Sequence, residues 1–124
     1  EDITMEVASK YGMIQPGESN TKAVRAVFII DPKGIIRTII YYPLSTGRNF
    51  DELIRVLKAL QTADEFEIAT PADWQPGDDV IVPPAGSCGV AKDRMGNKEE
   101  MHCYDWFFCT KKLSKEEVEE KIIK

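Results

Sequence analysis

The period of apolar positions changes along the chain, and each period names an element. In "DITMEVASKYG" the apolar Ile3, Val7, Ala8 and Tyr11 fall on one helical face, which predicts a helix over 2–11. Gly12 stands where a C-terminal cap glycine belongs. A loop carrying Pro16 and Gly17 follows. "AVRAVFIID" and "IIRTIIYY" are then two β-branched-rich runs separated by Pro32, Lys33 and Gly34. They predict a hairpin whose tight turn is Asp31-Pro-Lys-Gly. Both runs are apolar on more than one face, so the hairpin is expected to be central and covered on both sides. Arg25 and Arg37 are the exceptions within it.

"YPLSTGRNFDELIRVLKALQTAD" predicts a loop and then a helix with Phe50, Leu53, Ile54, Leu57 and Leu60 as its apolar stripe. Asn49 and Glu52 fit the N-cap and N3 positions of a capping-box-like start. Helix, hairpin and helix, an α/β pattern, are complete by residue 64. Beyond it "ATPADWQPGDDVIVPPAGSCG" holds four prolines and one short strand candidate, Val80 to Val82. That segment predicts an extended arm that follows a surface with little core of its own. The aromatic run 104–108 is a further short-strand candidate. Ser114 and Glu117 open a last helix in a second capping box, with Lys121 and Lys124 at its basic end. The domain reading is therefore 1–64 for the α/β part and 65–124 for the arm and terminal helix.

Charge narrows the function classes. Against 16 Lys and Arg stand 21 Asp and Glu, for a net charge of −5. This balance argues against a nucleic-acid partner, which needs a surplus of cations on one face, and against an anionic membrane surface. No apolar run approaches the roughly 18 residues of a spanning helix, and no leader pattern opens the chain. A soluble, cytoplasmic protein is expected. Because the first residue is Glu1 and not Met, the chain reads as a processed or excised piece. Three cysteines, an odd number, do not form a secreted disulfide framework and point to catalytic, redox or metal-binding thiols.

Two of the cysteines flank an aromatic cluster in "MHCYDWFFCTKK". If this stretch is extended, six steps of about 3.3 Å set Cys103 and Cys109 roughly 20 Å apart. If it is helical, six steps of about 1.5 Å give roughly 9 Å. A disulfide needs less than about 7 Å. Without a tight reversal each thiol is expected to stay free, bind something or pair elsewhere. Zinc held by Cys88, His102, Cys103 and Cys109 would lack any C-x₂₋₄-C knuckle. For Cys103 an inert apolar role and a redox role both stay open. Arg25, among apolar strand residues, either pairs with a buried carboxylate or aims its charge at an anion such as a thiolate. Arg48 reads from spacing as a solvated loop charge. The Asp78-Asp79 pair reads as a solvated turn. Ser45, Thr46 and Gly47 make no phosphate loop, and the single histidine supports no nucleophilic triad.

Taken together, "TKAVRAVFIIDPKGIIRTIIYYPLSTGRNFDELIRVLKALQTAD", "ATPADWQPGDD" and "VIVPP" resemble a peroxiredoxin. The likeness is to the one-cysteine-type, peroxiredoxin-6-like subfamily, particularly its archaeal and thermophile thioredoxin peroxidases. "HCYDWFFC" is similar to the C-x₅-C tail of those enzymes. The family's P-x-x-x-[TS]-x-x-C motif, which carries the peroxidatic cysteine, does not occur in the chain. The resemblance therefore implies the C-terminal part of a peroxiredoxin: a partial thioredoxin-like α/β domain followed by the arm and terminal helix.

By the same resemblance, Arg25 is the arginine that stabilises the thiolate and polarises the peroxide, and Arg48 is the second arginine of that site. Cys109 is the resolving cysteine and Cys103 its companion; Cys88 matches no family pattern. The implied activity is thiol-dependent reduction of hydrogen peroxide and organic hydroperoxides, with no cofactor and no metal. The implied partners are a thioredoxin-like or other thiol reductant, the N-terminal half of the domain, and further copies in a dimer or a ring of dimers. Alone, the chain is expected to be inactive. The rival reading is a non-catalytic redox-sensing or binding module on a half-thioredoxin scaffold.

Overall fold

The computed structural model describes residues 2–18, 22–96 and 101–122. Lys124, expected at the basic end of the last helix, and residues 19–21 of the first loop lie outside them. Two compact units divide the chain, Glu1–Phe50 and Asp51–Lys124.

In the first unit the opening helix is shorter than its apolar spacing predicts: α1 spans Glu6–Lys10. The reason is local. The Asp2 carboxylate accepts the N–H groups of Ala8 at 2.7 Å and Val7 at 3.4 Å, and Met5 takes a left-handed φ of 59°. Residues 2–5 thus form a turn that satisfies the orphan donors of the helix start. At the other end Gly12 has φ 64° and donates to Ser9 O, the terminator its position predicts.

The hairpin is present. β1 (Arg25–Ile30) pairs antiparallel with β2 (Ile36–Tyr42), from Arg25 opposite Tyr42 to Ile30 opposite Ile36. Asp31 organises the turn: its carboxylate accepts from Lys33 N and Ile35 N, both at 2.9 Å, and its carbonyl accepts from Gly34 N at 2.9 Å. Gly34 has φ 79°, which a side chain would disfavour. Tyr11, Phe28 and Tyr41 pack edge to face on one another, and the Tyr41 hydroxyl donates to Tyr11 O. The expected cover on both faces is not supplied by the described residues. Ile30, Ile35, Ile36 and Ile39 are exposed, because the sheet has only two strands.

The second unit begins one residue into α2 (Phe50–Phe66). There follow β3 (Val80–Val82), α3 (Cys88–Gly96), β4 (His102–Asp105), β5 (Phe108–Lys111) and α4 (Lys115–Ile122). The three strands form an antiparallel sheet in the order β3-β5-β4. Two expectations are corrected here. The arm is no coreless strap: Ile68, Trp74, Val80, Leu113 and Val118 join Ala59 of α2 in the buried cluster. The buried face of α2 is also not the one its large residues mark, since Phe50, Ile54 and Leu57 are exposed while Ala59 and Thr62 are buried. Small side chains on that face admit the proline-rich segment closely, and the indole of Trp74 fills the space left over. Its Nε1–H donates to Asp78 O at 3.2 Å, so the buried polar atom is satisfied. Asp78 in turn accepts from Gln75 N, the turn expected there.

The helix α3 was not legible as a helix, because Gly89 and Gly96 weaken its pattern; Ser87 Oγ accepts from Val90 N at 3.4 Å as its cap. The capping box of α4 is complete. Ser114 Oγ accepts from Glu117 N at 3.2 Å, and the Glu117 carboxylate accepts from Ser114 N at 2.9 Å.

These contacts set two expected outcomes. Trp74→Ala leaves an indole-sized void and lowers the unfolding free energy by about 3–5 kcal/mol, whereas Trp106→Ala, at an exposed turn, costs within about 0.5 kcal/mol. Urea titrations followed by circular dichroism compare the two, and equal costs would contradict the core described. The second outcome concerns acid. Hydrogen bonds from Ser114 hold the Glu117 carboxyl below its ordinary value of 4.5. A lowered folded pKa means the cap's contribution is fully present above the unfolded value and drains away as pH falls through the folded one. The stability gap between wild type and Glu117→Gln is therefore constant above about pH 5 and closes on further acidification; a gap independent of pH would exclude this cap.

Candidate active site

The first constellation sits where β1 begins and the loop after β2 returns to it. Arg25 is the first residue of β1 and faces Tyr42 across the ladder, so the chain leaving β2 must pass beside it. Two hydrogen bonds are exchanged there. Arg25 Nη1 donates to Thr46 O at 3.3 Å, and Arg48 Nη2 donates to Ala26 O at 3.3 Å. Each arginine thus holds the backbone of the segment that carries the other. Leu44 N donates to the Glu18 carboxylate at 3.3 Å, and Thr46 N to Pro43 O at 3.0 Å, which fix the loop further.

Both arginines are exposed. The buried carboxylate partner considered for Arg25 is absent among the described residues; a backbone carbonyl takes its place. Arg48 is solvated, as its spacing suggests, but it is also tied to the strand. A guanidinium has five N–H groups, and one bond apiece leaves donors to meet an anion on the open side. Beside them Val24 and Tyr42 line a cleft of about 560 Å³ with Gln15, Gly17, Glu18, Tyr41 and Pro43.

The second constellation corrects the sequence reading of the thiols. Cys103 and Cys109 form a disulfide, with Cα atoms 4.0 Å apart. The estimate of roughly 20 Å assumed one continuous strand. The aromatic run instead reverses at Trp106 and Phe107, and β4 and β5 place Cys103 directly opposite Cys109. Such directly facing positions bring side chains into closest approach. Cys109 lies in the central strand and is 1% exposed, while Cys103 lies on the edge strand and is part-exposed. Cys109 Sγ is 3.7 Å from Asp105 O. Tyr104 stacks on Phe108 and meets His102 edge to face, which braces the two strands.

The arginine pair belongs to the first unit and the cysteine pair to the second. Cys88, exposed and unpaired, opens α3. Among the described residues no group of three or more His, Cys, Asp or Glu side chains gathers to hold a metal. No described helix is long and apolar enough to cross a membrane.

Known proteins resemble this chain over most of its length. Residues 59–98 match the family model for the C-terminal domain of 1-Cys peroxiredoxin. The chain is 59% identical over 113 residues to a peroxiredoxin of Methanosarcina mazei, covering 90% of this chain and 52% of that protein. It is 52% identical over 113 residues to peroxiredoxin 2 of Caldanaerobacter subterraneus, covering 91% and 51%. The chain thus spans about half the length of the curated relatives it matches. Among solved structures, a yeast mitochondrial 1-Cys peroxiredoxin superposes with a TM-score of 0.72 at 38% identity, over 88% of this chain and 53% of that one. A mutant of peroxiredoxin 6 from Arenicola marina gives 0.70 at 39%, over 90% and 54%. The thioredoxin-like α/β class and the family likeness read from the residues hold against these matches.

Proposed function

We propose that the chain is the C-terminal part of a peroxiredoxin and that it supplies the arginine pair and the resolving thiol for peroxide reduction, with the peroxidatic cysteine carried by the N-terminal half of the domain. In this reading residues 1–64 complete the thioredoxin-like domain, and residues 65–124 form the arm that assembles copies into a dimer or a ring of dimers. The protein works in the cytoplasm, and alone the chain is not a competent peroxidase.

The reading is carried by the exchanged hydrogen bonds of Arg25 and Arg48, which hold two cations on one strand end. Fixed positive charge favours a thiolate over a thiol. The peroxidatic thiolate attacks one oxygen of the peroxide; the O–O bond breaks, sulfur becomes a sulfenic acid, and the other oxygen leaves as an alkoxide or hydroxide that takes a proton. Arg25 and Arg48 oppose the negative charge that builds on that leaving oxygen. The Cys109 thiol then condenses with the sulfenic acid, a disulfide forms and water departs. For this Cys109 must be reduced, so the Cys103–Cys109 bond is first opened by two electrons from a thiol reductant. Thiol resolution in the yeast relative proceeds through glutathione and thioredoxin systems, and a reductant of that class suits this chain. Sulfur is the only redox centre required, so no cofactor enters.

A second reading, a redox-sensing module, is favoured by the disulfide closed within the chain. Kinetics separate the two. With this chain joined to its peroxidatic half, Arg25→Lys lowers kcat/KM for hydrogen peroxide about 10²–10³-fold and moves the thiolate limb of the pH profile upward. Arg48→Lys has a smaller effect in the same direction. Arg37→Lys, at the far end of the hairpin beside Asp31, leaves the rate unchanged. Unchanged turnover in Arg25→Lys would remove the arginine site and leave the sensing module.

A further inference from the structure

We propose that the Cys103–Cys109 disulfide is opened at one sulfur only: an incoming thiolate attacks Cys103 Sγ, and Cys109 is the leaving group. The proposal rests on the functional reading above for its reductant, and on the placement of the two half-cystines for its direction.

Thiol–disulfide exchange requires the attacking thiolate to approach along the S–S axis, from behind the sulfur it bonds. The two sulfurs differ in what lies behind them. Cys109 belongs to β5, flanked by β3 on one side and β4 on the other, with Val82 as its register partner in β3. At 1% exposure it is among the most buried residues of the chain. Cys103 belongs to β4, the edge strand, and is part-exposed. The neighbours that follow it, Tyr104, Asp105, Trp106 and Phe107, are all exposed.

Leaving-group chemistry acts the other way. Burial raises a thiol's pKa, and a high-pKa thiolate leaves more slowly. The conflict is decided by access. A slower departure reduces the rate of attack at Cys103, whereas the near-complete burial of Cys109 excludes the attacking sulfur there. The Asp105 carbonyl, 3.7 Å from Cys109 Sγ, stands ready to accept the S–H once the released thiolate takes its proton.

The step balances. A reductant thiolate bonds to Cys103 Sγ, the Cys103–Cys109 bond breaks, and the electron pair goes to Cys109 Sγ, which is protonated. The reductant's second thiol then displaces Cys103 from the mixed disulfide. The reductant leaves oxidised, with both chain cysteines reduced. The first exchange therefore releases the buried Cys109 thiol, the one that resolves a sulfenic acid in the functional reading, while Cys103 holds the reductant.

The test uses the oxidised protein carrying this chain, in a Cys88→Ser background so that the exposed thiol does not compete. It is treated with excess glutathione, quenched in acid and mapped by peptide mass spectrometry. The adduct is expected on Cys103 over Cys109 by about tenfold or more. As a second measurement, Cys109→Ser and Cys103→Ser, each reduced, react with an aromatic disulfide reagent, and the Cys103 thiol is expected to react about tenfold faster than the Cys109 thiol. Adducts shared equally or found on Cys109, or equal rates in the two variants, would overturn the assignment. Peroxide turnover enters neither readout, so loss of the functional reading and loss of this one are told apart.

Discussion

Antiparallel register is the constraint on which both constellations depend. Residues far apart in sequence meet only because a strand turns back, and which ones meet is fixed by pairing. Side chains alternate between faces with period two, so a slip of one residue sends each to the opposite face. A one-residue slip of β4 against β5 would take Cys103 away from Cys109 and point it to the other side of the sheet. A slip in the first hairpin would move Tyr42 from Arg25, and with it the loop whose Thr46 carbonyl and Arg48 guanidinium close on β1. The Asp31 turn, with three hydrogen bonds to its carboxylate and carbonyl, therefore helps to place a charge pair at the other end of its hairpin.

The two constellations use opposite environments for a reason. Guanidinium groups keep their charge whether or not they are solvated, and burying two beside each other would cost far more than backbone carbonyls return. Exposure with one carbonyl bond each fixes them while water screens their repulsion. A thiol with the resolving role proposed for Cys109 would have the reverse need. A sulfur kept in a central strand is shielded from oxidation by solvent species, and an edge-strand partner leaves one open route to it. β5 is paired on both sides, with β3 and with β4, which makes it the least yielding of the three strands.

How much of this was legible follows from the range over which each feature is determined. Asp31-Pro-Lys-Gly, Ser114 with Glu117, and Gly12 as a terminator are decided within four or five residues, and each stands where its signature puts it. The start of α1 was missed because Asp2 reaches forward to Val7 and Ala8, a contact that apolar spacing does not encode. On α2 the largest side chains suggested the buried face, yet close approach by the 68–82 segment selects the Ala59 and Thr62 side. The disulfide depends on a tight reversal, and "YDWFF" contains neither Gly nor Pro, so the turn at Trp106 and Phe107 carries no punctuation. Arg25 and Arg48 were singled out by chemistry and by family likeness, but their exchange of backbone bonds needs the loop in place.

A two-stranded sheet is marginal in water by itself. The first hairpin has a ring cluster of Tyr11, Phe28 and Tyr41, but it also exposes four isoleucines, a larger apolar display than a lone surface usually keeps. Unpaired strand edges add a row of open backbone donors and acceptors. Apolar surface and open edges on one element call for the same remedy, a further strand or helix laid against the hairpin. Arg25 begins the strand that would be covered. The same contact that hides the isoleucines would then tighten the strand end that holds the arginine pair, and local dielectric would fall around it. Fixed charges act more strongly on an anion in that setting than in open water, so on the proposed reading one contact would both cover the hairpin and strengthen the arginine pair.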